Sequence, residues 1–404
     1  MSRSSGTSRH ERTSPRPDER LSRNVYVLSA VSFFQDAASE LLYPILPLFL
    51  TTVLGASPAV LGLIEGVAEG TASVMKAVSG RLADRVRRRP LIAAGYGVSS
   101  AAKLMIGFAT TWPLVLLARF TDRLGKGIRT SPRDALIASD TPQPLRGRAF
   151  GFHRAADTMG AVVGPLLGLL LYELLNHRLR PLFFVAFVPA AISVALVGFV
   201  HERRPPPREP DDPSKRRLPL PRAYWRTVAF LAVFGLANFS DAFIILRAKD
   251  LGMSFVAIIL AYTLYNLSYA ALSYPLGRLS DKVPRHRVFA AGLIIFAVSY
   301  LGLGLVRQPG WVWLLLPVYG AYAAATDGVG KAWIADLLPA DRFGSGLGIY
   351  QGIAGGASLV AGVWAGLAWG SSGRVPLLVS GIVVAVLAVV LMATAPRTAD
   401  IPVA

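Results

Sequence analysis

The sequence predicts an all-α polytopic membrane protein, with about twelve transmembrane helices in two pseudo-symmetric six-helix bundles. Three observations carry this expectation. The first is composition. Hydrophobic residues make up 53% of the 404-residue chain and charged residues only 16%, with a mean hydropathy of +0.48; an ordinary soluble domain is about one quarter charged. The second is a basic sequence, G-R-L-A-D-R-V-R-R-R-P-L-I at 80–92, lying between two long apolar runs. The third is its near-repetition as G-R-L-S-D-K-V-P-R-H-R-V-F at 277–289, an offset of 277 − 80 = 197 residues. A loop repeated near half-length marks two copies of one membrane unit.

Taken in order, residues 1–24 are rich in Ser, Arg, Pro and Glu and read as a disordered tail. Apolar spans fall near 25–51, 58–80, 90–109, 112–131, 149–172 and 181–200, giving an N-terminal bundle over 25–200. The Arg- and Pro-rich stretch 201–224 is a linker, unsuited to a membrane helix. Six further spans near 225–246, 255–277, 288–306, 311–335, 344–369 and 375–395 make a C-terminal bundle over 225–396, and 397–404 form a short tail.

The formal net charge is +18, which in a soluble protein suggests nucleic acid. Here the cations cluster in alternate loops: Arg81, Arg85, Arg87, Arg88 and Arg89, then Arg146 and Arg148, the linker, and Arg278, Lys282, Arg285 and Arg287. By the positive-inside rule these loops and both termini are cytoplasmic, in a multi-pass protein of the cell membrane. Lipid, not nucleic acid, is the expected environment. The chain has no cysteine, so disulfides and thiolate metal sites are excluded. The first apolar run is too long for a signal peptide and is followed by more spans.

Charges inside the spans carry the functional expectation. Span four holds Arg119, Asp122, Arg123, Lys126 and Arg129, which at about 100° per residue fall within an arc of about 120°. Each charge at mid-membrane costs at least about 2.5–3.5 kcal/mol, so this face must meet water, a substrate or other charges. Span one offers Asp36 and Glu40 at i, i+4, and span two places Glu65, Glu69 and Lys76 on one face. Arg154 and Asp157 lie with His153 on span five, near enough to be neighbours of span one or span four. The halves also match at these positions. Gln35-Asp36-Ala37 answers Ser240-Asp241-Ala242, and Asp122 with Lys126 answers Asp327 with Lys331, at offsets 241 − 36 = 205 and 327 − 122 = 205. Packing alone has no need to repeat polar residues, whereas a pseudo-symmetric cavity between the halves does. A carboxyl poised between desolvation and a nearby cation can load and release a proton.

The loop at 80–92 strongly resembles the loop 2–3 signature of the major facilitator superfamily of secondary transporters. Gly80, Leu82, Asp84, Arg85, Arg88 and Arg89 fall on its positions, and Gly277, Asp281 and Lys282 repeat it, with Arg87 and Pro284 replacing the usual second glycine. Span five, with Gly151, Gly160, Gly164, Pro165 and Gly168, resembles the pattern of the superfamily's antiporters, departing only at Leu169. In span four Arg119 matches a family signature, while Asp122 and Arg123 replace its Gln and Gly. The resemblance implies two bundles with a cavity lined by spans one, four, seven and ten. It also implies that Asp84, with nearby arginines and the start of span eleven, helps hold a cytoplasmic gate shut.

The function expected is secondary active transport of a small molecule by alternating access, as proton-coupled efflux by antiport, in a monomer needing no cofactor and no metal. Ion-coupled uptake of a small organic or anionic solute is the alternative, and a membrane-embedded non-transport protein comes after it. Against an enzyme, the chain contains no H-E-x-x-H, G-x-S-x-G or G-x4-G-K-[ST], and its five histidines are scattered. Two arrangements fit these charges. In one, the cations are neutralised by Asp36, Glu40 and Asp241 and the cavity accepts an amphipathic, cationic drug-like compound. In the other, Arg119, Arg123 or Lys126 stays free to bind a carboxylate or phosphate. The cations on span four exceed what Asp122 can pair, which favours the second.

Overall fold

The computed structural model describes residues 21–43, 46, 49–55, 58–202, 220–370 and 372–394. The tails and linker expected at 1–24, 201–224 and 397–404 lie outside these residues except where they meet helices. In that margin α1 already begins at Arg23 and α7 at Arg222.

Six helices form the first half: α1 Arg23–Leu42, α2 Pro58–Ala83, α3 Arg88–Phe108, α4 Trp112–Asp140, α5 Arg146–Leu174 and α6 Leu179–Val197. The second contains α7 Arg222–Ala237, α8 Ala242–Asp250, α9 Phe255–Lys282, α10 Arg285–Leu305, α11 Val312–Asp336, α12 Phe343–Leu367 and α13 Arg374–Thr394. Seven helices among the described residues are long and apolar enough to cross a membrane on length and composition. With α7 and α8 taken as one interrupted span, the architecture is the expected twelve spans in two six-span bundles.

Two spans differ from the sequence reading, and in span one α1 is followed by a short π-helix at Phe49–Val53. Span four does not stop near 131 but runs through Pro132 to Asp140. Ser131 Oγ ties this segment to the Lys76 carbonyl at 2.7 Å, and buried partners hold Arg133 and Asp134 beyond the proline. Span seven is interrupted at 238–241, where the Asn238 N–H closes α7 on Phe234 O at 3.1 Å.

Helix crossings follow the glycines. On α5, a Cβ at Gly164 would stand 2.7 Å from Ala37 O, and one at Gly160 2.8 Å from Ala37 N. These glycines let α1 lie backbone to backbone on α5. Gly151, one of the same set, faces α9 of the other half, where a Cβ would stand 2.5 Å from Ser273 O. The halves meet through α5 against α9 and α2 against α12, with α5–α11 and α4–α12 contacts between. Hydrogen bonds and ion pairs that join the halves, among them Asp281 to Gly147, Asp84 to Gly344 and Lys331 to Asp134, gather toward the end bearing the two repeated loops. Asn24 Nδ2 donates to Asp140 and, at 2.6 Å, to His201 O, which places the start of α1 and the ends of α4 and α6 at that same end.

Candidate functional site: a two-layer closure and a charged cavity

The outer layer is built from the repeated loops. Asp84 follows α2, and its two oxygens accept from the backbone N–H groups of Gly344 at 2.7 Å and Ser345 at 2.6 Å, which are the orphan donors of the α12 N-terminus. Burial pushes the Asp84 carboxyl above the usual carboxylate range, and the Ser345 and Gly344 donors with the Arg88 guanidinium oppose that rise. Asp281 repeats the arrangement on the α5 N-terminus, accepting from Gly147 and Arg148, each at 2.8 Å. A Cβ on Gly80 would stand 2.8 Å from Gly348 Cα, and one on Gly277 3.0 Å from Gly151 Cα. Arg285 and Arg146 share Asp336, at 2.6 and 3.1 Å. Arg88 turns instead to Ala135 O and Ser139 within its own half, Arg89 reaches Gly198 O, and Arg85 and Lys282 are exposed.

Beneath it lies a layer of buried ion pairs that cross between halves. Asp134 of α4, fully buried, receives Lys331 of α11 at 2.8 Å, Gln351 of α12 at 3.1 Å and its neighbour Arg133 at 3.0 Å. Arg154 of α5 holds Asp327 of α11 at 2.5 Å and Asp157 at 2.7 Å, and Tyr269 donates its hydroxyl to Asp327. His153 is buried there with no partner for Nδ1. A cavity of about 10 Å³ sits among Arg133, His153, Arg154, Asp157 and Lys331, about the room one water requires.

Farther from the closed end, the α4 face divides. Asp122 is not bonded to Lys126, its i+4 neighbour on the helix. It is held by Lys103 of α3 and Arg119, each at 3.8 Å, and by Arg123 at 4.0 Å. Arg123 also meets Glu69 of α2 at 3.7 Å; the side chain of Glu65 lies outside the described residues. Arg129 is spent on Ser99 Oγ at 2.5 Å and on the Tyr96 ring at 4.5 Å. Among the described residues no carboxylate comes within ion-pair distance of Lys126, whose acidic electrostatic neighbours are Glu69 and Asp36. Asp36 and Glu40 likewise make no ion pair among these residues, although the charge of Lys126 acts on both.

The second half presents a different wall. Asp241, at the break between α7 and α8, accepts from Tyr319 at 2.8 Å and Tyr265 at 3.0 Å. The pseudo-equivalent acids Asp36 and Asp241 thus differ in surroundings: Asp36 lies among the charges of Asp157, Glu40, Lys126 and Arg154, and Asp241 accepts from two phenols.

The sequence reading brought Arg119, Asp122, Arg123, Arg154, Asp157, Asp327 and Lys331 into consideration, and the structure joins them in networks. It missed Lys103, Arg133, Asp134, Gln351 and the tyrosines. Arg133 was legible in principle, since it extends the 119, 122, 126, 129 stripe by one further turn. The tyrosines carry no such local signal, because α9, α10 and α11 each read as ordinary apolar spans.

Two stretches, 28–246 and 226–403, match the model of the Major Facilitator Superfamily. Among relatives, an uncharacterized MFS-type transporter of Methanocaldococcus jannaschii is 35% identical over 359 residues, 87% of this chain and 90% of that one. The multidrug resistance protein MdtG of Dickeya zeae is 29% identical over 74% of this chain and 76% of its own. Among solved structures, the human organic anion transporter MFSD10 superposes with a TM-score of 0.75 at 17% identity, covering 93% of this chain and all of that one. The E. coli fucose:proton symporter does so with 0.71 at 14% identity, covering 92% and 98%. With that match over most of the chain, and with a loop repeated in its two halves, the protein is a membrane-embedded transporter, and the chain belongs to the Major Facilitator Superfamily.

Proposed function

We propose that this transporter couples protons to the efflux of a small organic molecule by antiport. One observation supports this most directly. Of the mid-span acids on the first half, Asp122 is fixed by three cations, whereas Asp36 and Glu40 carry no ion pair among the described residues and look toward Lys126. An acid already neutralised by three cations is a structural counter-ion. An acid in the cavity wall without one is free to exchange a proton as access alternates.

By the positive-inside rule the closed end lies in the cytoplasm, with both termini on that side of the cell membrane, and the state described is closed toward the cytoplasm. The glycine pattern of α5 and the likeness to a multidrug resistance protein favour efflux. The likeness to a fucose:proton symporter favours the second reading, uptake by symport. On the substrate, Lys126, with no carboxylate within ion-pair distance among the described residues, offers a cation for an anionic group. The protein acts as a monomer in this account, without cofactor or metal. The test is flux in proteoliposomes across a compound panel with the pH gradient imposed in either direction. Antiport requires that an inward-directed proton gradient drive the compound against it. Flux with the proton gradient would make the protein a symporter, and flux blind to the gradient would remove coupling altogether.

A further inference from the structure

The two basic loops do not match at every position, and the departures fall together in space. At the offset of the repeat (284 − 87 = 197; 286 − 89 = 197), Pro284 and His286 stand where the first copy has Arg87 and Arg89, while Arg285 answers Arg88. The shared arginine serves the closed end in both copies. Arg88 reaches Ala135 O and Ser139, and Arg285 pairs with Asp281 and Asp336. Arg87 and Arg89 join nothing across the halves among the described residues. Orientation in the membrane does not call for them either, since Arg81, Arg85 and Arg88 already make this loop basic.

What these two arginines line is a surface cavity of about 240 Å³, bounded also by Pro90, Ala93 and Glu202. It lies where the start of α3 meets the end of α6, wholly within the first half. Its frame is fixed. Both Glu202 oxygens accept from the α3 N-terminus, from Arg88 N at 2.8 Å and Arg89 N at 3.1 Å, and His201 N donates to Asn24 Oδ1 at 2.9 Å. That helix terminus is therefore already satisfied and is not what a ligand would use. The Arg89 guanidinium is held at one edge by Gly198 O at 2.6 Å. Arg87 is exposed and makes no hydrogen bond or ion pair among the described residues. Two cations thus face one carboxylate whose oxygens are spent on backbone donors, and the cavity is left positive. Pro90 and Ala93 add apolar wall, and α6 exposes Val188, Ile192 and Phe199 along one outer face running up to it.

We propose that this cavity binds the phosphate of an anionic phospholipid in the leaflet at the repeated-loop end, with Arg87 and Arg89 on the phosphate and the acyl chains along the exposed face of α6. A guanidinium presents paired donors that match phosphate oxygens, and basic pockets between spans suit anionic headgroups. A soluble phosphate would meet the same two arginines but gain nothing from the apolar face. The site is separate from the cavity between the halves, and it depends on neither the coupling nor the direction of transport.

The experiment is lipid binding to the purified full chain in detergent, read by native mass spectrometry, with phosphatidylglycerol and phosphatidylcholine of identical acyl chains. Wild type is expected to hold its first phosphatidylglycerol about tenfold more tightly than phosphatidylcholine. Arg87→Gln is expected to lose severalfold of that preference, and Arg87→Gln combined with Arg89→Gln nearly all of it. Arg278→Gln combined with Arg287→Gln removes as much exposed charge from the repeated loop and is expected to stay within about twofold of wild type. Arg87→Gln breaks no bond among the described residues, so it decides the matter even where the double variant fails to fold. The proposal is overturned if wild type binds both lipids alike, if Arg87→Gln keeps the full preference, or if the Arg278 and Arg287 pair loses as much. Inorganic phosphate separates the two sources of the same group. Excess phosphate is expected to leave the lipid in place, and its displacing the lipid from wild type would make the ligand a soluble phosphate and overturn the lipid site.

Discussion

Arg154 on α5 joins Asp327 on α11 across the interface between the halves at 2.5 Å, while Asp157 on its own helix holds it at 2.7 Å. The second cross-half pair has the same form, since Asp134 takes Lys331 from the opposite half and keeps Arg133 beside it at 3.0 Å. Separation of the halves therefore leaves each first-half charge with a partner. Asp327 and Lys331, four residues apart on α11, are spaced to meet one another. An exchange of cross-half for same-half pairs lets the closed end open without stranding a buried charge, which would otherwise cost about 3–5 kcal/mol for each broken pair.

This exchange predicts that Lys331→Gln and Asp327→Asn each shift the population toward opening at the repeated-loop end, because each removes a cross-half pair whose first-half member keeps a same-half partner. Because the chain has no cysteine, Ser273→Cys is a clean reporter; Ser273 is buried on α9 against Gly151. Labelling of that cysteine is expected to rise severalfold in the Lys331 variant. Unchanged labelling in both variants would remove the exchange mechanism.

The outer layer makes a separate prediction. Asp84→Asn keeps one acceptor but loses the charge that favours the α12 N-terminus, worth about 0.3–1 kcal/mol and up to about 2 when partly buried. It is expected to favour the open end. Asp281→Asn is expected to act in the same direction but more weakly, since Arg285 and Arg146 on Asp336 still tie the halves there. Equal or opposite effects on labelling at Ser273→Cys would contradict this ranking.

Much of this was written in the sequence, and what was not has a common cause. The repeated loop gave away the two halves, and the glycine spacing of α5 its close neighbour helix, because both are local patterns. The charged arc of α4 predicted a face that needs partners, but not which partners: Asp122 ignores Lys126 at i+4 in favour of Lys103, nineteen residues away on α3 (122 − 103 = 19). The interruption at 238–241 carries neither proline nor glycine. Its cause is tertiary, with the break placed where Asp241 reaches hydroxyls on α9 and α11.

Asp122 and the two unpaired acids are expected to respond differently to neutralisation. Asp122→Asn strands Lys103, whose side chain is 4% exposed, and is expected to lower the melting temperature markedly, in line with about 3–5 kcal/mol for a broken buried pair. Asp36→Asn and Glu40→Gln break no ion pair among the described residues and are expected to melt within a few degrees of wild type. At least one of them is expected to abolish gradient-driven flux while leaving substrate exchange intact. A melting loss in all three, or gradient-driven flux in both span-one variants, would contradict the division of roles.

The most direct test of the account is whether protonation of the cavity acids alone drives the halves between states, read by spin-label distances in lipid. One pair, Arg85→Cys with Asp341→Cys, spans the closed end at exposed positions, and another, Thr111→Cys with Arg307→Cys, spans the opposite end. In an antiporter, proton loading from outside sends the carrier inward. Lowering the pH from about 8 to about 5, across the range in which carboxyls in such settings titrate, is therefore expected to lengthen the first distance and shorten the second. The shift is expected to disappear when Asp36→Asn and Glu40→Gln are combined. Distances that stay fixed with pH in the wild-type chain, or that move equally in the double variant, would contradict the account.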